Sequence, residues 1–205
     1  MKRLTATIIL AVMALAATAQ TPKDVRYTFT EASDLNLIGK IIDTPNPYHR
    51  VDTVKYKGFT KGENEQVRSS AGLAVLFKTN SSVISVLADY GYMNRATNTM
   101  GISLRGYDLY IKKDGEWLYA ASKAAGNGHE EENLVIIKDM DSSMKECMLY
   151  LPIYSELYSL KIGVEEGSVL EAIESPFRNR IAIFGSSYTH GISTTRPAMS
   201  YPMQL

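Results

Sequence analysis

Gly106-Tyr-Asp-Leu-Tyr110-Ile-Lys-Lys-Asp-Gly115-Glu-Trp-Leu-Tyr119 is the stretch that fixes the fold class. Tyr107, Leu109 and Ile111 alternate with Asp108, Tyr110 and Lys112, the period of two expected where one strand face is buried and the other is wet. Lys112-Lys-Asp114-Gly115 then closes a hairpin, with Gly115 able to take a positive φ, and Glu116-Trp-Leu-Tyr119 returns as the second strand.

The same texture extends on both sides. Ile84, Val86, Ala88 and Tyr90 alternate with Ser85, Leu87 and Asp89, and Leu160, Ile162 and Val164 alternate with Lys161 and Glu165. Leu73 to Phe77, Leu134 to Ile137 and Met148 to Ile153 are short apolar runs bounded by turn residues. From about 25 to 178 no segment sustains a helical period for three turns. Many short strands with frequent Gly, Asn, Asp and Pro predict a mainly β chain, an antiparallel sandwich of jelly-roll type. The only cysteine, Cys147, lies within one of these strands, so no intramolecular disulfide is available and packing is its expected role.

Charge and the N-terminus bound the setting. Lysine plus arginine (22) equals aspartate plus glutamate (22), and no basic stripe appears, which argues against binding nucleic acid. Met1-Lys-Arg3 followed by the short apolar run Leu4 to Ala17 and by Ala17-Thr-Ala19 reads as a signal peptide occupying residues 1–19. Cleavage is expected between Ala19 and Gln20. The mature product is then exported, periplasmic or extracellular, without a membrane anchor.

A change of character follows Glu174-Ser-Pro176-Phe-Arg-Asn-Arg180, which suits a short linker. Ile181 to Phe184 is an apolar run fit for a buried parallel strand, and it stops at Gly185-Ser186-Ser187. A serine just past such a turn sits where open α/β sheets place their ligands, and it can act as a nucleophile beside backbone N–H groups. Read alone, the run favours a buried strand ending in an ordinary serine-rich turn. A nucleophile elbow of Gly-x-Ser-x-Gly form is disfavoured, because Thr189 stands at the last position.

Gly185-Ser-Ser187-Tyr-Thr-His190-Gly191, followed by Thr195-Arg-Pro197-Ala-Met199-Ser-Tyr201-Pro202, resembles the first conserved block of the SGNH (GDSL-type) hydrolases. It is most similar to a secreted esterase-like subgroup, from which His190 and Ala198 depart where that subgroup has Gln and Gly. Ser70-Ala-Gly72-Leu-Ala-Val-Leu-Phe77, Gly106-Tyr-Asp108-Leu-Tyr110, and Leu149-Tyr-Leu-Pro152 through Ser159-Leu-Lys-Ile-Gly163 resemble its N-terminal β-sandwich module. The resemblance implies a module over 25–178, then the first strand and nucleophile loop of an incomplete α/β/α domain over 179–205. It implies Ser187 as catalytic nucleophile, with its own backbone N–H in the oxyanion hole and Tyr188 and His190 as candidate pocket-lining residues. The implied reaction is a two-step acyl transfer on O-acyl, chiefly acetyl, esters of carbohydrates or on another small ester. It needs no metal and no organic cofactor.

The general base is the open question. His190 can reach Ser187 only if the turn between them is helical, and it has no evident carboxylate partner. His49 is one of the other two histidines. The second, His129, sits in Gly126-Asn-Gly128-His129 before Glu130 to Glu132 and reads as a solvated acidic turn rather than a metal loop. The Asp-x-x-His that the resemblance leads one to look for after the nucleophile is missing from these 205 residues, so this chain alone is expected not to turn over. The competing reading is a non-catalytic exported sandwich that binds glycans or another protein. A short helix is expected to start near Ser200, with that residue as its cap.

Overall fold

β-Branched and aromatic residues two apart can bury one face of a strand only if a second sheet covers it, and two sheets do so here. The computed structural model describes residues 25–126 and 133–205. The signal-peptide reading of 1–19 and the turn containing His129 and Glu130 to Glu132 lie outside the described residues.

In chain order the strands are β1 (Tyr27–Glu31), β2 (Asn36–Ile38), β3 (Ala74–Thr79), β4 (Ile84–Met93), β5 (Gly106–Lys113), β6 (Glu116–Ala124), β7 (Leu134–Ile137), β8 (Lys145–Tyr150), β9 (Ser155–Glu165) and β10 (Leu170–Ala172). Three short helices join them: α1 (Lys61–Val67), α2 (Gly101–Arg105) and α3 (Ser187–His190). One sheet runs β1-β9-β4-β7 and the other β10-β3-β8-β5-β6, with β2 also on β3. Every pairing among these strands is antiparallel. β2 and β10 lie end to end along the outer edge of β3, opposite Ala74 to Leu76 and Phe77 to Thr79 respectively. Asn36 ties them by donating from Nδ2 to the Ile173 carbonyl at 2.8 Å.

The alternations read from the sequence set the core. Ile84, Val86, Ala88 and Tyr90 from β4 and Leu160 and Ile162 from β9 face Val75 and Phe77 of β3, Tyr107 and Leu109 of β5, and Cys147 and Leu149 of β8. The phenols of Tyr90 and Tyr107 meet between the sheets at 2.7 Å, which satisfies two hydroxyls that would otherwise be buried without partners. The β5–β6 hairpin turns as expected, with Asp114 at φ 53° and Gly115 at φ 88°.

Two expectations are corrected. Ile181 to Phe184 forms no strand: residues 173–186 carry neither helix nor strand, and Ile181 and Phe184 are exposed. A buried parallel strand needs paired neighbours on its edges, and residues 181–184 pair with none of the described strands. α1, at seven residues, stays below the three turns for which the sequence showed no helical period. It is a two-turn helix held by a capping box in which Thr60 Oγ1 accepts from the Glu63 N–H and Glu63 accepts from the Thr60 N–H. Residues 201–204 form a 3-10 turn rather than an α-helix, and the Ser200 hydroxyl donates to the Pro197 carbonyl at 3.3 Å instead of capping it.

Cys147 is fully buried, and burial pushes its thiol up to about 12. A thiol without its thiolate form is a poor nucleophile. Reaction of Cys147 with a disulfide reagent such as DTNB is therefore expected only after unfolding in denaturant. Rapid labelling of the native protein would contradict this core placement. Leu149→Ala, which empties a fully buried site between the sheets, is expected to cost about 2–5 kcal/mol in urea unfolding.

Candidate active site

Ser187 opens α3, a single helical turn preceded by Ser186 and closed by Gly191 in the left-handed region at φ 110°. A side chain at Gly191 would be strained there and would also meet Ile153 Cδ1 at 2.8 Å. Gly185 is equally constrained, because a Cβ would collide with Thr189 Oγ1. The Gly191 and Ile192 N–H groups both donate back to the Ser187 carbonyl, at 3.0 and 2.9 Å. As the first helical residue, Ser187 has an N–H with no partner within the turn. Ser187 and Tyr188 face solvent.

The opposite side of the turn faces the sandwich. The ring of His190 stacks on Tyr154, with centroids 4.0 Å apart and planes 18° apart. Its Nε2 lies 2.7 Å from the Ile153 carbonyl and 3.0 Å from Ser69 Oγ. A carbonyl only accepts, so Nε2 carries the proton and donates it to Ile153. Arg50 stands 3.5 Å from the same nitrogen and is itself held by the Ser69 carbonyl at 3.0 Å and the Ser69 hydroxyl at 3.1 Å. Burial, and then the charge of Arg50, push His190 down to about 4, against the opposing pull of the Ile153 carbonyl. Burial likewise lowers Arg50, to about 10. The turn is helical, as a Ser187–His190 encounter requires, yet the imidazole is spent on the sandwich and points no lone pair of Nε2 at Ser187.

A second attachment lies further along. Thr194 Oγ1 sits 2.7 Å from Ser103 Oγ and donates to the Gly191 carbonyl at 2.8 Å. Thr189 Oγ1 meets the Tyr201 hydroxyl at 2.9 Å.

The third attachment is the strongest. Asp108, on β5, is fully buried. Its Oδ1 accepts from Ser122 on β6 at 2.6 Å, and its Oδ2 accepts from Arg196 Nη1 at 2.9 Å and from the Ala198 N–H at 3.0 Å. Arg196 also donates to the Tyr110 hydroxyl at 2.8 Å and lies over the Tyr119 ring, 4.2 Å from its centroid. Burial works against the charge of Arg196, but the bonds to Tyr110 and Asp108 outweigh it and hold its pKa above the ordinary value. Gly106, two residues before Asp108, leaves no room for a Cβ, which would collide with the Ile102 carbonyl.

Gly106-Tyr-Asp-Leu-Tyr110 therefore folds as one device, and its pattern decides the family. Residues 26–170 match the family described as GxDLY: N-terminus of Esterase_SGNH_hydro-type. The chain belongs to this GxDLY family. It is also similar to the crystal structure of a protein assigned as a GDSL-like lipase from Bacteroides ovatus, at 38% identity and a TM-score of 0.80 over 88% of this chain. That match covers 53% of the other protein, so the chain spans about half its length. A salicylyl-acyltransferase from a tetracycline biosynthetic pathway shares the fold at 18% identity and a TM-score of 0.50, over 73% of this chain and 42% of that one. No curated protein matches.

His49, the other described histidine, lies 3.1 Å from Glu156 Oε1, an oxygen shared with Arg68 Nε at 3.0 Å. It belongs to a structural ion cluster that ties the 46–50 loop and the end of α1 to β9. Among the described residues, no three His, Cys, Asp or Glu side chains converge as a metal site requires. No helix there is long and apolar enough to cross a membrane.

The residues that sequence reasoning missed are Asp108, Arg196, Ser69 and Arg50. The alternation at 107–111 placed Asp108 on the wet face, and it is covered there by Arg196 and the Ala198 N–H, 88 and 90 residues away in sequence.

Native His190 resists protonation between about 4 and its ordinary value of 6.5, so the unfolded chain binds more protons across that window. Stability is then complete above pH 6.5 and falls as pH drops toward 4, by about 3 kcal/mol at most. Urea unfolding from pH 7 to 4 is expected to show a flatter profile for His190→Gln than for wild type. Equal slopes would contradict the buried neutral ring.

Proposed function

We propose that this chain is the N-terminal part of an exported serine esterase of the SGNH type, with Ser187 as nucleophile. Residues 25–178 form its jelly-roll-like sandwich module, a reading supported by connections that cross between the sheets at β1–β2, β3–β4, β4–β5, β6–β7, β7–β8, β8–β9 and β9–β10. Residues 179–205 begin the catalytic domain. The observation that carries the proposal is the disposition of α3: Ser187 stands exposed on a turn whose other face is bonded to the module that defines the family.

Ser187 Oγ attacks the ester carbonyl and its proton passes to a base, giving a tetrahedral oxyanion beside the Ser187 N–H. Collapse of that intermediate expels the alcohol and leaves an acyl-enzyme, and water releases the acid by the reverse path. His190 and His49 are both committed to structural contacts, so the base is assigned to the half of the relative's length that this chain does not span. Carbohydrate O-acetyl groups are the proposed substrates, by analogy within the family. The basic, apolar and small-residue succession of residues 1–19 supports export.

The full-length gene product is expected to hydrolyse p-nitrophenyl acetate and an acetylated sugar, and Ser187→Ala is expected to lower kcat by at least about a thousandfold. Retained turnover in Ser187→Ala would rule out the assignment. Absence of esterase activity, together with glycan binding by the sandwich, would favour the non-catalytic reading.

A further inference from the structure

α3 has two faces with opposite fates. Ser187 and Tyr188 are exposed, while His190 and Gly191 turn inward. His190 meets groups from three separate parts of the sandwich: Ser69 after α1, Ile153 and Tyr154 before β9, and Arg50 in the long loop after β2. Each of these except Arg50, which Ser69 itself holds, is fixed by further bonds within the sandwich. Ser69 donates to the Gln66 carbonyl at 2.7 Å, and the Ile153 and Tyr154 N–H groups donate to the carbonyls of Ser103 and Leu104 at 3.2 and 3.1 Å. A donor held at 2.7 Å and a ring stacked at 4.0 Å together define both the depth and the rotation of the turn. Ser187 lies one turn away on the same rigid unit, three residues before His190.

We propose that His190 is a positioning residue through which the sandwich sets the orientation of the Ser187 hydroxyl, so that the module is a working part of the active site rather than a separate appendage. This rests on Ser187 being the nucleophile. The Nε2–H bond to the Ile153 carbonyl is the decisive contact, and the Tyr154 stack limits rotation about it. A nucleophile displaced by about 1 Å loses roughly a hundredfold in rate while substrate binding is little altered, so the effect falls on kcat.

Two variants separate the contacts: His190→Gln keeps an amide N–H for Ile153 without the stack, and His190→Phe keeps the stack without the donor. Hydrogen exchange on the 205-residue chain reads the anchoring directly. The amides of His190, Gly191 and Ile192, bonded to the Ser186 and Ser187 carbonyls, are expected to exchange at least about tenfold faster in His190→Phe, and close to wild type in His190→Gln. Protection across β3 and β9 should be unchanged, which shows that the sandwich remains folded. In the full-length gene product, His190→Phe is expected to lower kcat at least about tenfold with KM within about twofold, and His190→Gln to restore most of it. Unchanged exchange at 190–192 in His190→Phe overturns the anchoring, and unchanged kcat overturns the positioning role. Loss of the acid limb of the kcat/KM profile in His190→Gln would make His190 the base and overturn the proposal as well. Turnover surviving in Ser187→Ala would sink the esterase reading, and with it any catalytic part for His190, while the exchange result would still decide the anchoring.

Discussion

A carboxylate cut off from water must find inside the protein every proton it accepts, and Asp108 finds three. Ser122 holds one oxygen from the neighbouring strand, and Arg196 and the Ala198 N–H hold the other from the far end of the chain. Removing any one of these donors would leave charge in a place where desolvation is costly. The geometry therefore works in one direction: the sandwich folds with a buried anion at its rim, and the segment after Ser187 is the part that completes its coordination. The order of the last residues on the sandwich comes from that. With Arg196 and Ala198 fixed, Thr194 falls against Ser103, Gly191 against Ile153, and His190 against Tyr154.

The GxDLY pattern can be read as physics at each of its lettered positions. Glycine is required because the α2 carbonyl of Ile102 occupies the space of a Cβ. Aspartate supplies the buried anion. Leucine fills the core between the sheets. The final tyrosine gives Arg196 a second acceptor and an aromatic neighbour. Tyr107, at the position the pattern leaves open, joins the sheets through Tyr90. Tyr107 and Leu109 thus serve the core, while Asp108 and Tyr110 reach outward to the segment that carries Ser187.

The sandwich was legible in the sequence because its signal is local. Period-two alternation at 84–90, 107–111 and 160–164 reports burial directly, and Asp114-Gly115 reports its own turn. β1, β2 and β10 were not legible, since each is three to five residues long and is a strand only because β9 or β3 lends it an edge. α1 carried a readable capping box at Thr60 and Glu63, but seven residues give too little periodicity to betray a helix. Ile181 to Phe184 shows the converse. Its composition suits a buried strand, yet composition does not supply pairing partners. Ser187 was singled out by the block around it, and it stands on an exposed turn. The commitment of His190 to Ser69, Ile153 and Tyr154 was not, because the Ile153 and Ser69 partners lie 37 and 121 residues away in sequence.

Asp108 and Arg196 must act on each other, rather than merely lie close, if the Ser187 segment is held in this way. A double-mutant cycle with Asp108→Asn, Arg196→Met and the pair together, read by urea unfolding at pH 7, measures that interaction most directly. The structure predicts a coupling energy of about 2–4 kcal/mol, since the carboxylate is buried and each partner's loss leaves the other's charge uncompensated. Coupling below about 0.5 kcal/mol, the value of an exposed surface pair, would contradict the claim that this carboxylate holds the Ser187 segment to the sandwich.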